Sequence, residues 1–159
     1  MKQAKINLTR GFGLLENFLA KKRAVMANLL MQEEHKEGRV LDIGCGTFPY
    51  FLITSRAKEK YGMDPVVNAT SLKDNKQNIV LKKIKAGKQR LPFADNFFDA
   101  VTMLAVFEHI EHARLSFVLK EIRRVLSKDG ILIITTPAPW TDKPLHYLAN
   151  FGLISKEEI

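Results

Sequence analysis

A short apolar run, Val40-Leu41-Asp42-Ile43, breaks abruptly at Gly44-Cys45-Gly46, and this transition constrains the fold more than any other feature of the chain. The run is too short for a helix and too continuously apolar for a strand with one wet face. It predicts a strand covered on both faces, as in parallel sheets. Two glycines directly after it predict a tight turn into a helix, where absent Cβ atoms and free amides let a ligand lie against the backbone. Asp64 ends a second strand candidate, Tyr61-Gly62-Met63-Asp64-Pro65, about 20 residues later, where a carboxylate can accept hydrogen bonds from both hydroxyls of a ribose. Strand, turn and acid together predict a nucleotide-like ligand. The dinucleotide fingerprint would place a third glycine where Pro49 stands, after Phe48, so a pyrophosphate-binding NAD site is not expected.

The apolar period changes along the chain as it does where helices alternate with strands. Leu14, Leu15, Phe18, Leu19, Val25, Met26, Leu29 and Leu30 recur near 3.6 residues, with Lys21, Lys22 and Arg23 on another face. They predict an amphipathic helix from Leu14 to Leu30 that packs on the core. A helix is expected from Tyr50 to Lys58, and further strands at Ile79 to Ile84, Phe98 to Leu104 and Ile131 to Thr135, the last closed by Pro137. Between the last two strands, Leu115, Val118, Leu119, Ile122, Val125 and Leu126 keep helical spacing. Arg123, Arg124 and Lys128 sit where cations favour the helix dipole, and Gly130 is expected to supply a left-handed stop. Strands separated by helices imply an α/β fold with parallel pairing and a ligand crevice at the carboxyl ends of the strands. With 159 residues, 46% of them hydrophobic, and no internal repeat or linker, one domain is expected. Residues 1–38 would form a helical cap and 39–159 the ligand-binding core.

Composition excludes several other classes. The single cysteine, Cys45, cannot form an internal disulfide, which removes the stapled secreted scaffold and points to a reducing compartment, most simply the cytoplasm. No apolar run approaches the length of a membrane span, and Met1-Lys2-Gln3-Ala4-Lys5 lacks the apolar stretch of a signal peptide. The net charge of +8 raises the question of nucleic acid. Lys73, Lys76, Lys82, Lys83, Lys85, Lys88 and Arg90 lie in one stretch against Asp74 alone, but without interleaved aromatic residues, so a solvated edge is the preferred reading.

Four stretches resemble the class I S-adenosylmethionine-dependent methyltransferases, and within them the small-molecule "type 11" group. Val40 to Gly46 is similar to the family's first motif, and Gly62-Met63-Asp64-Pro65 to its ribose-binding acid. Leu91-Pro92-Phe93-Ala94-Asp95-Asn96-Phe97-Phe98-Asp99-Ala100-Val101 resembles its approach to strand four. Phe107-Glu108-His109-Ile110, followed by Glu121 to Leu132, is similar to its helical run and the strand after it. The resemblance spans about Arg39 to Pro139 in the family's order. It implies a Rossmann-like sheet, S-adenosyl-L-methionine as cofactor, and a small-molecule or lipid-like methyl acceptor. Gly44 and Gly46, with Cys45 between them, would line the methionine and ribose portions. Asp64, followed by Pro65, would bind the ribose hydroxyls, and Asp42 would steady the loop and approach the methionine amino group through water. Leu104 and Ala105 would offer backbone contacts to the methionine moiety, and Gln89 would approach adenine.

The chain departs from the family pattern where Phe48 replaces a third glycine and where Ala86-Gly87-Lys88-Gln89-Arg90 lacks the acid that usually faces the adenine amino group. The family fold usually continues into an antiparallel hairpin, and Lys156 to Ile159 look like the start of the helix before it. A missing hairpin would leave a sheet edge for another copy of the chain to cover. His109, after strand four, is the candidate general base, weighed against a structural histidine. His109 with His112 and Glu108 with Glu111 fall short of the converging ligands that a metal site needs. Cys45 reads as a small side chain tolerated in a tight turn rather than a reactive thiol, Asp99 reads as structural, and Phe12, Phe18 or Leu19 could touch the acceptor. Two other readings remain beside the methyltransferase: a catalytically idle cofactor-binding scaffold, and an RNA methyltransferase using the basic face.

Overall fold

The computed structural model describes residues 14–67 and 78–136. In chain order these form α1 (Leu14–Leu30), α2 (Glu33–Lys36), β1 (Arg39–Ile43), α3 (Tyr50–Thr54), β2 (Glu59–Met63), β3 (Ile79–Lys82), β4 (Phe98–Leu104), a 3-10 turn (Phe107–His109), α4 (His112–Val125) and β5 (Leu126–Thr135). The five strands make one parallel sheet in the order β3-β2-β1-β4-β5. The chain builds outward from β1 through β2 and β3, then crosses back to place β4 on the other side of β1. That reversal makes the carboxyl ends of β1 and β4 the switch point at which open α/β sheets bind ligands.

Both faces of the sheet are covered, which is why its central strands carry so few polar residues. Val40 and Ala100 bury on one face with Ala24, Ala27 and Met31 of the α1 region and with Phe51 and Leu52 of α3. Leu41, Ile43, Val101 and Met103 bury on the other, against Val118, Ile122 and Val125 of α4. The alternation follows the two-residue period of a strand. Each such large side chain contributes about 1.5–3 kcal/mol relative to exposure.

Helix α1 has the expected span but not the expected inner face. Phe18, Val25, Met26, Leu29 and Leu30 are 48–69% exposed, whereas Ala24 and Ala27 are buried. Apolar residues occur on more than one side of this helix, and its alanines allow a closer approach of backbones than leucines would, so the small-residue side meets the core. Helix α3 stops at Thr54 rather than Lys58. Ser55 turns extended, and its hydroxyl accepts the Ala57 N–H at 3.2 Å. Gly130 is not a left-handed helix stop: the positive-φ glycines among the described residues are Gly44, Gly46 and Gly87. The helix ends because Leu126 is already extended and paired with Phe98, and a register irregularity separates that pair from Ala100 and Ile131. At Gly130 a Cβ would lie 2.9 Å from Leu126 and Ser127 and 3.1 Å from the Phe98 carbonyl, so this glycine serves close approach within the strand. The expected helix start at Lys156 to Ile159 lies outside the described residues.

The approach to β4 is clamped by α4. The Leu91 N–H donates to Glu121 Oε2 at 2.8 Å. The Arg124 guanidinium donates to the Leu91 and Phe93 carbonyls at 2.9 and 2.8 Å and to Asp95 and Glu121 at 2.7 Å. In return the Asn96 and Phe97 amides donate to the last carbonyls of α4. Arg124 thus anchors a loop rather than merely complementing a dipole, and two separated sequence motifs prove to be halves of one polar network. Asp99 is structural as expected, accepting the Arg39 N–H at 2.8 Å.

Candidate functional site

The glycine turn is held by backbone and carboxylate together. Gly44 and Gly46 have φ of +80° and +67°, a region that costs a side-chain-bearing residue about 1–2 kcal/mol. A Cβ on Gly44 would also collide with Val106. The Gly44 and Cys45 amides both donate to the Met63 carbonyl, at 2.7 and 3.3 Å, tying the turn to the end of β2. The next residue of that strand end, Asp64, receives the Gly46 N–H on Oδ2 at 3.2 Å and the Val66 N–H on Oδ1 at 2.8 Å. Asp64 is 3% exposed. A carboxylate oxygen can accept more than one hydrogen bond, so anchoring two amides is compatible with receiving hydroxyl groups as well.

Asp42, next to the carboxyl end of β1, is also 3% exposed and accepts the Thr102 hydroxyl from the adjacent β4 at 2.7 Å. Burial pushes its carboxyl up to about 7, against the opposing Thr102 bond, and the nearby Asp64 charge adds to the rise. Asp42 therefore titrates near neutrality, and a cation beside it would favour its ionised form. Burial likewise pushes the Cys45 thiol well up, so this residue is not a thiolate nucleophile at neutral pH. At the end of β4, Ala105 has φ of +55°. It is held there by its N–H donating to the carbonyl and hydroxyl of Thr135, at 3.0 and 3.1 Å. A non-glycine residue in this region is uncommon and strained.

These groups surround a cavity of about 380 Å³ at the carboxyl ends of β1, β2 and β4, within the range of small-molecule sites. Asp42, Gly44, Cys45, Gly46, Asp64 and Pro65 line it, as do Leu104, Ala105 and His109. Gln89 does not. It is exposed, because the chain turns sharply at Gly87, whose φ is +81° and whose carbonyl is held by Arg114 at 2.7 Å. Ile84 and Ala86 occupy the wall next to that turn instead. Of the residues considered for acceptor contact, Phe18 and Leu19 lie off the cavity and Phe12 lies outside the described residues. Among the described residues, Ala20, Arg23 and Ala24 of α1 line it, joined by Phe48 and Tyr50. The rotated face of α1 explains the substitution, and no periodicity in the sequence could have indicated it.

The residues suit an adenosyl ligand. Two left-handed glycines provide a wall without side chains, Asp64 provides a buried acceptor bonded to the second of them, and Ile84 and Ala86 provide apolar surface for a base. Among the described residues no three His, Cys, Asp or Glu side chains converge as metal ligands, and no helix is long and apolar enough to cross a membrane.

A family model described as a methyltransferase domain matches residues 41–134, the stretch that supplies all of this geometry except the α1 wall and Thr135. An uncharacterized protein of Methanocaldococcus jannaschii is 36% identical over 107 residues, covering 67% of this chain and 40% of that protein. The chain spans about half the length, or less, of the curated relatives it matches. Among solved structures, the YcgJ protein of Bacillus subtilis superposes with a TM-score of 0.62 at 23% identity, covering 82% of this chain and 58% of that one. An S-adenosylmethionine-dependent methyltransferase of Mesorhizobium loti superposes with a TM-score of 0.59 at 21% identity, covering 76% and 56%.

Proposed function

The chain belongs to the methyltransferase-domain family, in the class I, S-adenosylmethionine-dependent fold, and on that premise we propose that its cavity binds S-adenosyl-L-methionine and serves methyl transfer to a small-molecule or lipid-like acceptor. The observation that carries this reading is the direct bond between glycine turn and acid, Gly46 N–H to Asp64 Oδ2, at the switch point of the sheet. When bound, the cofactor supplies a methyl group on a cationic sulfonium, open to in-line attack by a nucleophile.

The chain's own residues hold and orient the reactants. Asp64 takes the ribose hydroxyls, fixing the nucleoside end. Gly44 and Gly46 admit the thioether and methionine portions against bare backbone. Asp42, once ionised, attracts the methionine ammonium through water, and the Thr102 hydroxyl keeps that carboxylate aimed along β1. Leu104 and Ala105 complete the methionine wall with backbone groups, and the bonds from Ala105 to Thr135 hold that strained corner in place. Positioning of this kind can account for much of the barrier reduction, because methyl transfer chiefly needs alignment of nucleophile and sulfonium carbon. His109, in the 3-10 turn at the rim of the cavity, is the base for acceptors that must lose a proton. The similarity of fold to the Mesorhizobium loti enzyme supports the cofactor assignment.

Calorimetric titration with S-adenosylhomocysteine, S-adenosylmethionine and NAD tests the reading. Micromolar binding of the two adenosyl ligands with none of NAD is the expected result. A folded chain that binds neither adenosyl ligand, or prefers NAD, would overturn it.

A further inference from the structure

Helix α1 turns its small residues inward and its large apolar ones to solvent. Ala24 and Ala27 are buried, whereas Phe18, Val25, Met26, Leu29 and Leu30 are exposed. At 3.6 residues per turn these five fall within an arc of about 140°, which makes them one continuous stripe. They are half of the exposed large apolar residues among the described residues, and the others are spread over β3, α4, β5 and the segment after β2. Exposed apolar residues scattered singly need no explanation, but a concentrated patch marks an interaction site.

The stripe is also cationic. From Phe18 to Leu30 the sequence holds Lys21, Lys22 and Arg23 and no acid. Lys22 stands at the middle of the apolar arc, its ammonium 5.5 Å from the centre of the Phe18 ring, and Lys21 stands at the border, 6.0 Å from that of Tyr50. Both lysines are exposed, and among the described residues neither pairs with a carboxylate. The next acids along the chain, Glu33 and Glu34, begin α2, and Glu33 is already held by Lys36 at 2.7 Å and Arg56 at 3.7 Å. A protein partner covering the stripe would have to desolvate Lys22 and supply an acid to it. A second copy packed α1 against α1 supplies none, because a self-complementary contact brings the same cations to face each other. An anionic lipid surface meets both demands: hydrocarbon takes the apolar side chains, while the lysine stems lie along it and carry their ammonium groups up to the phosphates.

We propose that α1 lies in the surface of an anionic phospholipid bilayer, burying Phe18, Val25, Met26, Leu29 and Leu30 and setting Lys21 and Lys22 among the headgroup phosphates. The helix lies on the membrane without crossing it, since no helix among the described residues is long and apolar enough to span one. Ala20, Arg23 and Ala24 line the cavity from the other side of α1, so docking holds that wall one helix diameter, ~10 Å, from the lipid. The docking does not depend on the cofactor reading; combined with it, it favours the lipid-like acceptor, met at the bilayer surface.

Co-sedimentation of the full chain with vesicles tests this, comparing phosphatidylcholine alone with equal parts of phosphatidylcholine and phosphatidylglycerol. Thermal unfolding first establishes that the variants fold: Val25→Ser with Leu29→Ser, Lys21→Gln with Lys22→Gln, and Phe117→Ser on α4 as an exposed apolar control outside the stripe. The wild-type chain should sediment with the mixed vesicles, far less with phosphatidylcholine, and less at high salt. The serine pair should weaken binding about tenfold or more, the glutamine pair should remove most of the preference for anionic lipid, and Phe117→Ser should bind as wild type does. The glutamine pair decides alone if the serine pair does not fold. No sedimentation with the mixed vesicles, equal binding to both kinds of vesicle, or a serine or glutamine pair indistinguishable from wild type overturns the proposal. Sedimentation velocity without lipid reads the alternative: a wild-type dimer that the serine pair dissociates assigns the stripe to a second copy and overturns bilayer docking. Vesicle binding by a chain that does not bind S-adenosylhomocysteine upholds this proposal and refutes the cofactor reading instead.

Discussion

Replacing Asp42 by asparagine should stabilise the free protein at pH 8 and remove most of the pH dependence from cofactor binding. Burial lifts the carboxyl from 3.8 to about 7, so between those values the native state holds a proton that the unfolded chain releases. Stability therefore falls as pH rises from about 4 through 7 and levels off above. Roughly three pH units at about 1.4 kcal/mol each put the contribution of ionised Asp42 at up to about 4 kcal/mol of destabilisation at pH 8. Asparagine keeps the shape and an oxygen to accept the Thr102 hydroxyl, but carries no charge. Urea denaturation at pH 4, 6 and 8 should find the variant and wild type within about 1 kcal/mol at pH 4 and the variant several kcal/mol more stable at pH 8. The functional counterpart has the opposite sign. With a pKa near 7, Asp42 is about one-tenth ionised at pH 6, so the affinity of wild type for S-adenosylhomocysteine should drop about tenfold between pH 8 and pH 6, while Asp42→Asn binds weakly with little slope. Equal pH profiles of stability for the two proteins would refute the reasoning.

Other consequences follow from named contacts. Gly44→Ala forces a Cβ into a φ of +80° and against Val106; it should cost about 2–4 kcal/mol in urea denaturation and abolish S-adenosylhomocysteine binding. Arg124→Met takes from Glu121, whose side chain is 11% exposed, its nearer cation and leaves Arg90 at 3.8 Å. It should destabilise by about 2–3 kcal/mol, and a loss within experimental error would show that the clamp on Leu91 and Phe93 is dispensable. Because burial holds the Cys45 thiol protonated, iodoacetamide at pH 8 should label the folded chain far more slowly than the chain in urea; equal rates, followed by mass spectrometry, would contradict the burial.

The sequence was most legible where local pattern and tertiary role coincide. The limits of β4 follow from its apolar run, and the glycine turn with Asp64 follows from chemistry that few other residues can supply. The inward face of α1 did not follow, because leucines and alanines occupy different sides and close packing selected the small ones. The family resemblance puts Gln89 beside adenine, whereas the turn at Gly87, fixed by the distant Arg114, sends it to solvent. Gly130 illustrates the same limit. Its role depends on the Phe98 carbonyl of a neighbouring strand, a contact that no window of sequence contains. Periodicity puts Arg23 on the polar face of α1, and only the rotation of the helix brings it to the cavity.

Amide chemical-shift mapping of the labelled chain during titration with S-adenosylhomocysteine tests the central claim most directly. The account predicts saturable shifts concentrated at Gly44, Cys45, Gly46, Asp64, Leu104 and Ala105, with the amides of Ser127 to Gly130 at the opposite end of the sheet unmoved. Shifts centred elsewhere, or none at millimolar ligand in a folded chain, would contradict it.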